Sequence, residues 1–223
     1  MKSSFESNFC AIRDSHSIKS AVKNDKISCE ASNNQGYTPK DVKMIQAKIR
    51  ELLGSAEKIG NLRISTSAIE FDLFAEKDDL NKSKNLLEAE ISKMLTLRSI
   101  EPRASARAGE EALREGIDLF NQERFWEAHE LLEEIWHPAK GVERDTIQGL
   151  ILTAAALVHH QKNEKAVCVS ILGRAIAKLG TIDNFKGVDT KRLRAGIEQI
   201  LKDNTPRLLQ IEWVKTKTRA QPS

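Results

Sequence analysis

The spacing of hydrophobic and polar residues changes several times in the first hundred positions. Ile27, Cys29 and Ala31 alternate with polar neighbours, as in a half-buried strand, whereas the apolar residues of 42–52 recur at helical spacing. The sequence Thr-Pro-Lys-Asp at 38–41 adds a helix start signal. Together the patterns predict strands near 27–31, 62–64, 69–73 and 96–100, and helices near 38–52 and 78–94.

The order of these elements, β-α-β-β-α-β, is typical of a ferredoxin-like sandwich, in which two helices cover one face of a sheet. We therefore predict an α+β domain over residues 25–102. Nucleic-acid-binding domains of this topology stack bases on aromatic side chains of the open face. Here Phe71 shares a face with the apolar residues of its strand, while Glu70 and Asp72 on the other face repel phosphate. A structural or docking role is therefore favoured.

The composition becomes helical after a proline-containing linker at residues 101–107. An all-α bundle is predicted over residues 103–204, and its third helix is apolar nearly all round, which predicts a central position. Residues 1–24 are predicted to form a flexible leader and residues 205–223 a basic C-terminal tail, whose LLQIEWV segment is apolar enough to fold back. The predicted helices span 106–121, 123–137, 143–161, 164–179 and 190–203.

Charge and cysteine content narrow the class of protein. The 223 residues are 40% apolar and 30% charged, with a net charge of +3. Basic residues concentrate at the two ends, so the region between them lacks the clustered Lys and Arg of nucleic-acid-binding proteins. The three cysteines form no CxxC pair, which argues against a disulfide framework or a Cys-rich zinc site. Without a signal-peptide pattern or a membrane-length apolar run, we predict a cytoplasmic protein with no membrane association.

The stretch FWEAHELLEEIW at 125–136 places a histidine and a glutamate among aromatic residues. At about 100° per residue, His129 and Glu133 fall on the same arc as Trp126 and Trp136, and the other three glutamates fall on a solvated arc. A buried carboxylate needs a partner, and the histidine one turn away is the nearest candidate.

The third helix of the predicted bundle adds polar groups to an apolar run. Gln148 and His159 lie almost whole turns apart and so share one stripe of the helix. Gly149, Thr153 and Ala156 form a neighbouring stripe of small residues, which permits close approach of a partner helix.

The runs LFNQERFWEAHELLEEIW, IQGLILTAAALVHHQ and ILGRAIAKLG together resemble the domain-of-unknown-function family numbered 309, a compact all-α domain. The resemblance covers residues 111–180 and implies a helical fold, but it implies no activity, cofactor or partner. The matching positions are Phe120, Asn121, Trp126, His129, Glu130, Glu133, Trp136, Gln148 and Gly149.

Two interpretations of the polar cluster make the protein non-catalytic. In the first, Trp126 and Trp136 wall a site for a small molecule or a protein partner, and His129, Glu133 and Gln148 supply its polar groups. In the second, a satisfied hydrogen-bond network of the same residues fixes the helix register. Neither interpretation requires a cofactor.

The third interpretation is a metal-dependent hydrolase, since a His and a carboxylate at i and i+4 face one metal ion. His129 and Glu133 are then ligands of a divalent metal, His159 supplies a third ligand, and Glu130 or water transfers protons. The helical wheel places Glu130 about 100° from His129, which disfavours that role. The sequence therefore favours a binding protein, with the metal-dependent hydrolase as the alternative.

Overall fold

The computed structural model describes residues 25–54, 59–75, 80–99 and 109–214. The predicted leader, the predicted linker and the last nine residues of the predicted tail lie outside the described residues. An antiparallel sheet with helices is followed by a helical region, as the sequence predicts. None of the described helices is both long and apolar enough to cross a lipid bilayer.

The described N-terminal unit has four strands and two α-helices in the predicted order along the chain. They are β1 (Asp25–Ser32), α1 (Val42–Leu53), β2 (Ile59–Ile64), β3 (Ala68–Ala75), α2 (Leu80–Glu90) and β4 (Met94–Ser99). The strands lie in the order β2-β3-β1-β4, and every neighbouring pair is antiparallel.

The two faces of this sheet differ in polarity, because successive side chains of a strand point to opposite sides. Ile27, Cys29 and Phe71 are buried on one face, in an apolar cluster that includes residues of α1 and α2. The other face carries acidic side chains, among them Glu30 and Glu70, which are paired across β1 and β3. This polar face contacts the helical region, as described below.

The helical region is built around its longest helix. Its elements are α3 (Gly109–Asn121), α4 (Phe125–Trp136), α5 (Gly141–Gln161), α6 (Lys165–Leu179), β5 (Asn184–Phe185), β6 (Val188–Asp189) and α7 (Thr190–Asp203). Every residue of α5 from Thr146 to His159 is buried, which confirms its predicted central position. Gly149 allows α6 to approach closely, since a Cβ at this position would lie 2.7 Å from Cγ of Leu179.

The segment after α7 folds back on the bundle. Leu209 and Ile211 are buried. The side-chain amide of Asn121 donates to the carbonyl of Ile211 and accepts from its N–H, each at 2.9 Å. Residues 209–213 of the predicted tail therefore belong to the packed structure.

Asn121→Ala is expected to loosen this C-terminal segment. The variant removes the partners of one backbone N–H and one carbonyl of Ile211, which costs roughly 1–3 kcal/mol. Gln122→Ala, at the exposed neighbouring position, is the control. It should change the free energy of unfolding by less than about 0.5 kcal/mol. Urea denaturation followed by circular dichroism measures both changes, and equal values for the two variants contradict the role given to Asn121.

Candidate functional site

Helix α4, which carries most of the predicted site, is packed along one side. Phe125, Ala128 and Leu132 are almost fully buried in the core of the bundle. Gly116 of α3 leaves room for Leu132, whose Cγ lies 3.0 Å from the place that a Cβ at position 116 would take. This packing fixes the rotation of α4 and therefore the directions of its polar side chains.

Three side chains of the predicted site lie in a row along α4. His129 is 2% exposed, and its imidazole stacks on the indole of Trp126 with centroids 5.7 Å apart and planes 13° from parallel. Its Nε2 lies 3.8 Å from Oε1 of Glu133. This distance exceeds the length of a hydrogen bond, so the pair gains charge attraction only when the imidazole is protonated.

The sequence predicts that the Glu133 carboxylate is buried in the bundle, and the structure corrects this prediction. Its side chain is 33% exposed, so the carboxylate stays partly hydrated. The helical wheel puts Glu133 about 40° from His129, at the edge of the buried arc, and the neighbouring helices leave this edge open. In the pair of His129 and Glu133, only the imidazole is buried. Glu130 is exposed, as predicted.

Trp136, predicted as one aromatic wall of the site, lies at the end of α4 against an arginine of α5. The guanidinium of Arg144 lies 3.7 Å from the centroid of the Trp136 ring. The same guanidinium donates to the carbonyls of Trp136 and His137, each at 3.1 Å, and so satisfies the end of α4. Gln148 is buried on α5.

The predicted metal ligands are not grouped as a metal site. Nδ1 of His159 is hydrogen-bonded to Glu164 across the turn between α5 and α6. Within the described residues, no three His, Cys, Asp or Glu side chains lie close enough together to hold a metal ion.

The thiols of Cys29 and Cys168 are both buried. Burial raises the pKa of Cys168 to about 12, and burial together with the charge of Asp72 does the same for Cys29. A thiol whose pKa is raised this far stays protonated near neutral pH, which disfavours a nucleophilic role.

A groove that the sequence did not reveal lies where α3, α4, α5 and the β5–β6 hairpin meet. Its volume is about 260 Å³, and Leu113, Ile135, Ile147 and Phe185 form an apolar floor. Its other lining residues are Gly109, Glu134, Pro138, Ala139, Glu143 and Lys186. None of the predicted site residues lines this groove.

Lys186 separates this groove from a second, smaller depression. Its Nζ lies 2.6 Å from a carboxylate oxygen of Glu143, so its charge is paired at the rim. The smaller depression has a volume of about 180 Å³ and shares Leu113 and Lys186 with the groove. Trp213, whose ring lies under the guanidinium of Arg114, closes its far side.

The helical hairpin formed by α3 and α4 is strongly acidic. Residues 109–136 contain nine acidic side chains and two arginines, which gives this segment a net charge of −7. Glu110 of α3 and Glu134 of α4 border the two depressions. The groove therefore lies along a helical hairpin whose net charge is negative.

Comparison with known proteins supports the resemblance seen in the sequence. Residues 113–171 match the model of the family described as Domain of unknown function (DUF309). This match lies within α3 to α6 and contains Trp126, His129 and Glu133.

A protein of Aquifex aeolicus (strain VF5), described as uncharacterized, is 31% identical to this chain over 93 residues. The aligned part is 41% of this chain and 28% of the relative, so the chain spans under a third of the relative's length. No solved structure matches the chain significantly.

Proposed function

We propose that the chain is a non-catalytic binding protein whose bundle holds a basic, amphipathic helix of a protein partner in the groove beside Ile135 and Lys186. The observation that carries this proposal is an apolar floor set within an acidic helical hairpin. The strand order of the N-terminal unit supports a ferredoxin-like sandwich that serves as its structural support. No cofactor is required.

The size and shape of the groove favour side chains of a partner over a small molecule. Its volume of about 260 Å³ is below the roughly 300–1,000 Å³ typical of small-ligand pockets. A helix that presents apolar residues at i, i+3, i+4 and i+7 fills such a depression with two or three side chains. The adjoining depression at Trp213 extends the surface for one more side chain.

The charge around the groove selects a basic partner. The charged residues that line the two depressions are Glu110, Glu134, Glu143, Arg114 and Lys186, which leaves an excess of one negative charge. Complementary charge steers encounter and suppresses wrong partners. Nucleic acid carries the same sign as this surface and is disfavoured as a ligand.

A charge reversal at the rim tests this proposal. The probe is a synthetic peptide of about 16 residues with Leu at helical spacing and Lys elsewhere, titrated by isothermal calorimetry. Glu134→Lys should raise its Kd about tenfold, whereas Glu198→Lys, the same charge change at an exposed position of α7, should raise it less than about twofold. Equal effects of the two reversals contradict a localised site.

A second pair of variants separates apolar docking from charge attraction. Ile135→Ala removes part of the groove floor and should weaken peptide binding about fivefold or more. Val167→Ala removes an apolar side chain that is 43% exposed on α6, and it should leave the Kd unchanged. If Ile135→Ala binds as the wild type does, the groove is not the docking site.

A further inference from the structure

The polar face of the sheet, together with the turn between β2 and β3, contacts one end of the bundle through hydrogen bonds. This end carries Glu123 and Lys162 and is called the tip of the bundle below. The backbone N–H of Thr66, in the turn between β2 and β3, donates to the carboxylate of Glu123 at 2.8 Å, and the Thr66 hydroxyl donates to the same carboxylate. Nearby, Nζ of Lys162 lies 3.4 Å from the side-chain oxygen of Asn61. The amide of Asn61 in turn donates to Asp72 at 2.7 Å.

The two residues that reach across this contact have unusual backbone conformations. Asn61 lies within the irregular part of β2 and has a φ of 51°, and Glu123 lies between α3 and α4 with a φ of 62°. Asn tolerates this left-handed region, but Glu is rarely found there and is strained. A strained residue persists when its surroundings hold it, and the carboxylate of Glu123 is held by Thr66.

The charges on the two sides of the contact are complementary. The pKa of Arg124, beside Glu123, is raised mainly by its hydrogen bond to Glu127 and further by Glu30 and Glu70 of the sheet. Burial and the charge of Arg63 lower the pKa of Lys162, while the charges of Glu164 and Asp72 partly offset that effect. Arg124 and Lys162 of the bundle thus lie near acids of the sheet, and Arg63 of the sheet lies near Lys162.

We propose that the polar face of the sheet is an interaction surface whose partner is the tip of the bundle in the same chain, and that this contact opens as salt concentration rises. Glu123 and Lys162 hold the contact closed through charge-assisted hydrogen bonds to Thr66 and Asn61. Salt screens such contacts, since the Debye length falls to roughly 3 Å at 1 M. In the closed state the acidic face is covered and is not available to other partners.

Amide hydrogen exchange in the full chain, followed by NMR, tests this proposal. The Thr66 amide reports the contact because its acceptor is Glu123, whereas the Ala68 amide bonds to the Ser65 hydroxyl within the same turn and is the internal control. In low salt the Thr66 amide should exchange at least fivefold more slowly than in 1 M NaCl. The Ala68 amide should change by less than about twofold.

Glu123→Gly separates the contact from the stability of the bundle. Glycine adopts a positive φ without strain, so the melting temperature of the bundle should stay equal or rise. The Thr66 amide should lose its protection in this variant while the Ala68 amide keeps its own. A Thr66 amide that exchanges equally fast in the wild type and in Glu123→Gly overturns the proposal, as does protection that 1 M NaCl leaves unchanged.

Discussion

Gly149→Ala should destabilise the helical bundle by about 2–3 kcal/mol, the size expected for overpacking a filled core. A Cβ at this position would lie 2.7 Å and 2.8 Å from side-chain carbons of Leu179 and 2.9 Å from its backbone N. The side chain has little freedom to yield, because Leu179 is fully buried, and the backbone contact requires α6 itself to move. The loss is measured as a lower midpoint of urea denaturation, followed by helical circular dichroism.

Gly173→Ala is the matched control for this prediction. Gly173 is an exposed position of α6, and a Cβ there meets no atom within 4 Å. Because Ala has the higher helix propensity, this variant should be as stable as the wild type or more stable by up to about 1 kcal/mol. If Gly149→Ala is as stable as Gly173→Ala, α5 and α6 do not approach as closely as the structure has them.

His129→Ala should reduce the free energy of unfolding by about 2–3 kcal/mol. The residue is 2% exposed and its ring stacks on Trp126, so truncation leaves a cavity and removes an aromatic contact. His137→Ala, at an exposed position beyond the end of α4, should change stability by less than about 0.5 kcal/mol. Thermal and urea denaturation compare the two.

The same His129→Ala variant distinguishes a packing role from a binding role. If His129 only fills the core, and Phe125, Ala128 and Leu132 still fix the rotation of α4, the remaining folded protein should bind the basic peptide with the wild-type Kd. A loss of affinity that exceeds the effect of Glu134→Lys would place the binding site at this row and not in the groove.

The helical core was predictable because its elements are long and strongly periodic. The helices predicted at 123–137 and 143–161 correspond to Phe125–Trp136 and Gly141–Gln161. The small-residue stripe predicted on the central helix is confirmed by the contact between Gly149 and Leu179. The spacing of apolar residues is enough to predict these helices, because the apolar residues of a buried helix face recur over several turns.

The groove was not predictable from local pattern, because its residues come from separate elements. Phe185 and Lys186 lie between the helices predicted at 164–179 and 190–203, where the sequence predicts only a connecting segment. The two strands in this segment have two residues each. Strands this short show no period. The turn signals in this stretch, Asn184 and Gly187, are joined by a 2.9 Å hydrogen bond and were the available clue to a hairpin.

The predicted burial of His129 and Glu133 was only partly right for a related reason. A helical wheel gives the angle of a residue on its own helix but not the width of the surface that its neighbours cover. His129 lies well inside the covered arc, whereas Glu133, one turn later, lies at its edge and is 33% exposed. Exposure at an edge depends on the positions of α3 and α5, which tertiary packing sets.

Mapping the basic peptide onto the protein by NMR tests the central claim most directly. Titration of isotope-labelled full-length chain should shift the signals of Leu113, Ile135, Phe185 and Lys186, which border the groove on three elements. The signals of α7, including Glu198, should stay unchanged. Shifts that spread evenly over acidic residues of the whole surface, or that centre on another face, contradict the proposal that this groove is the binding site.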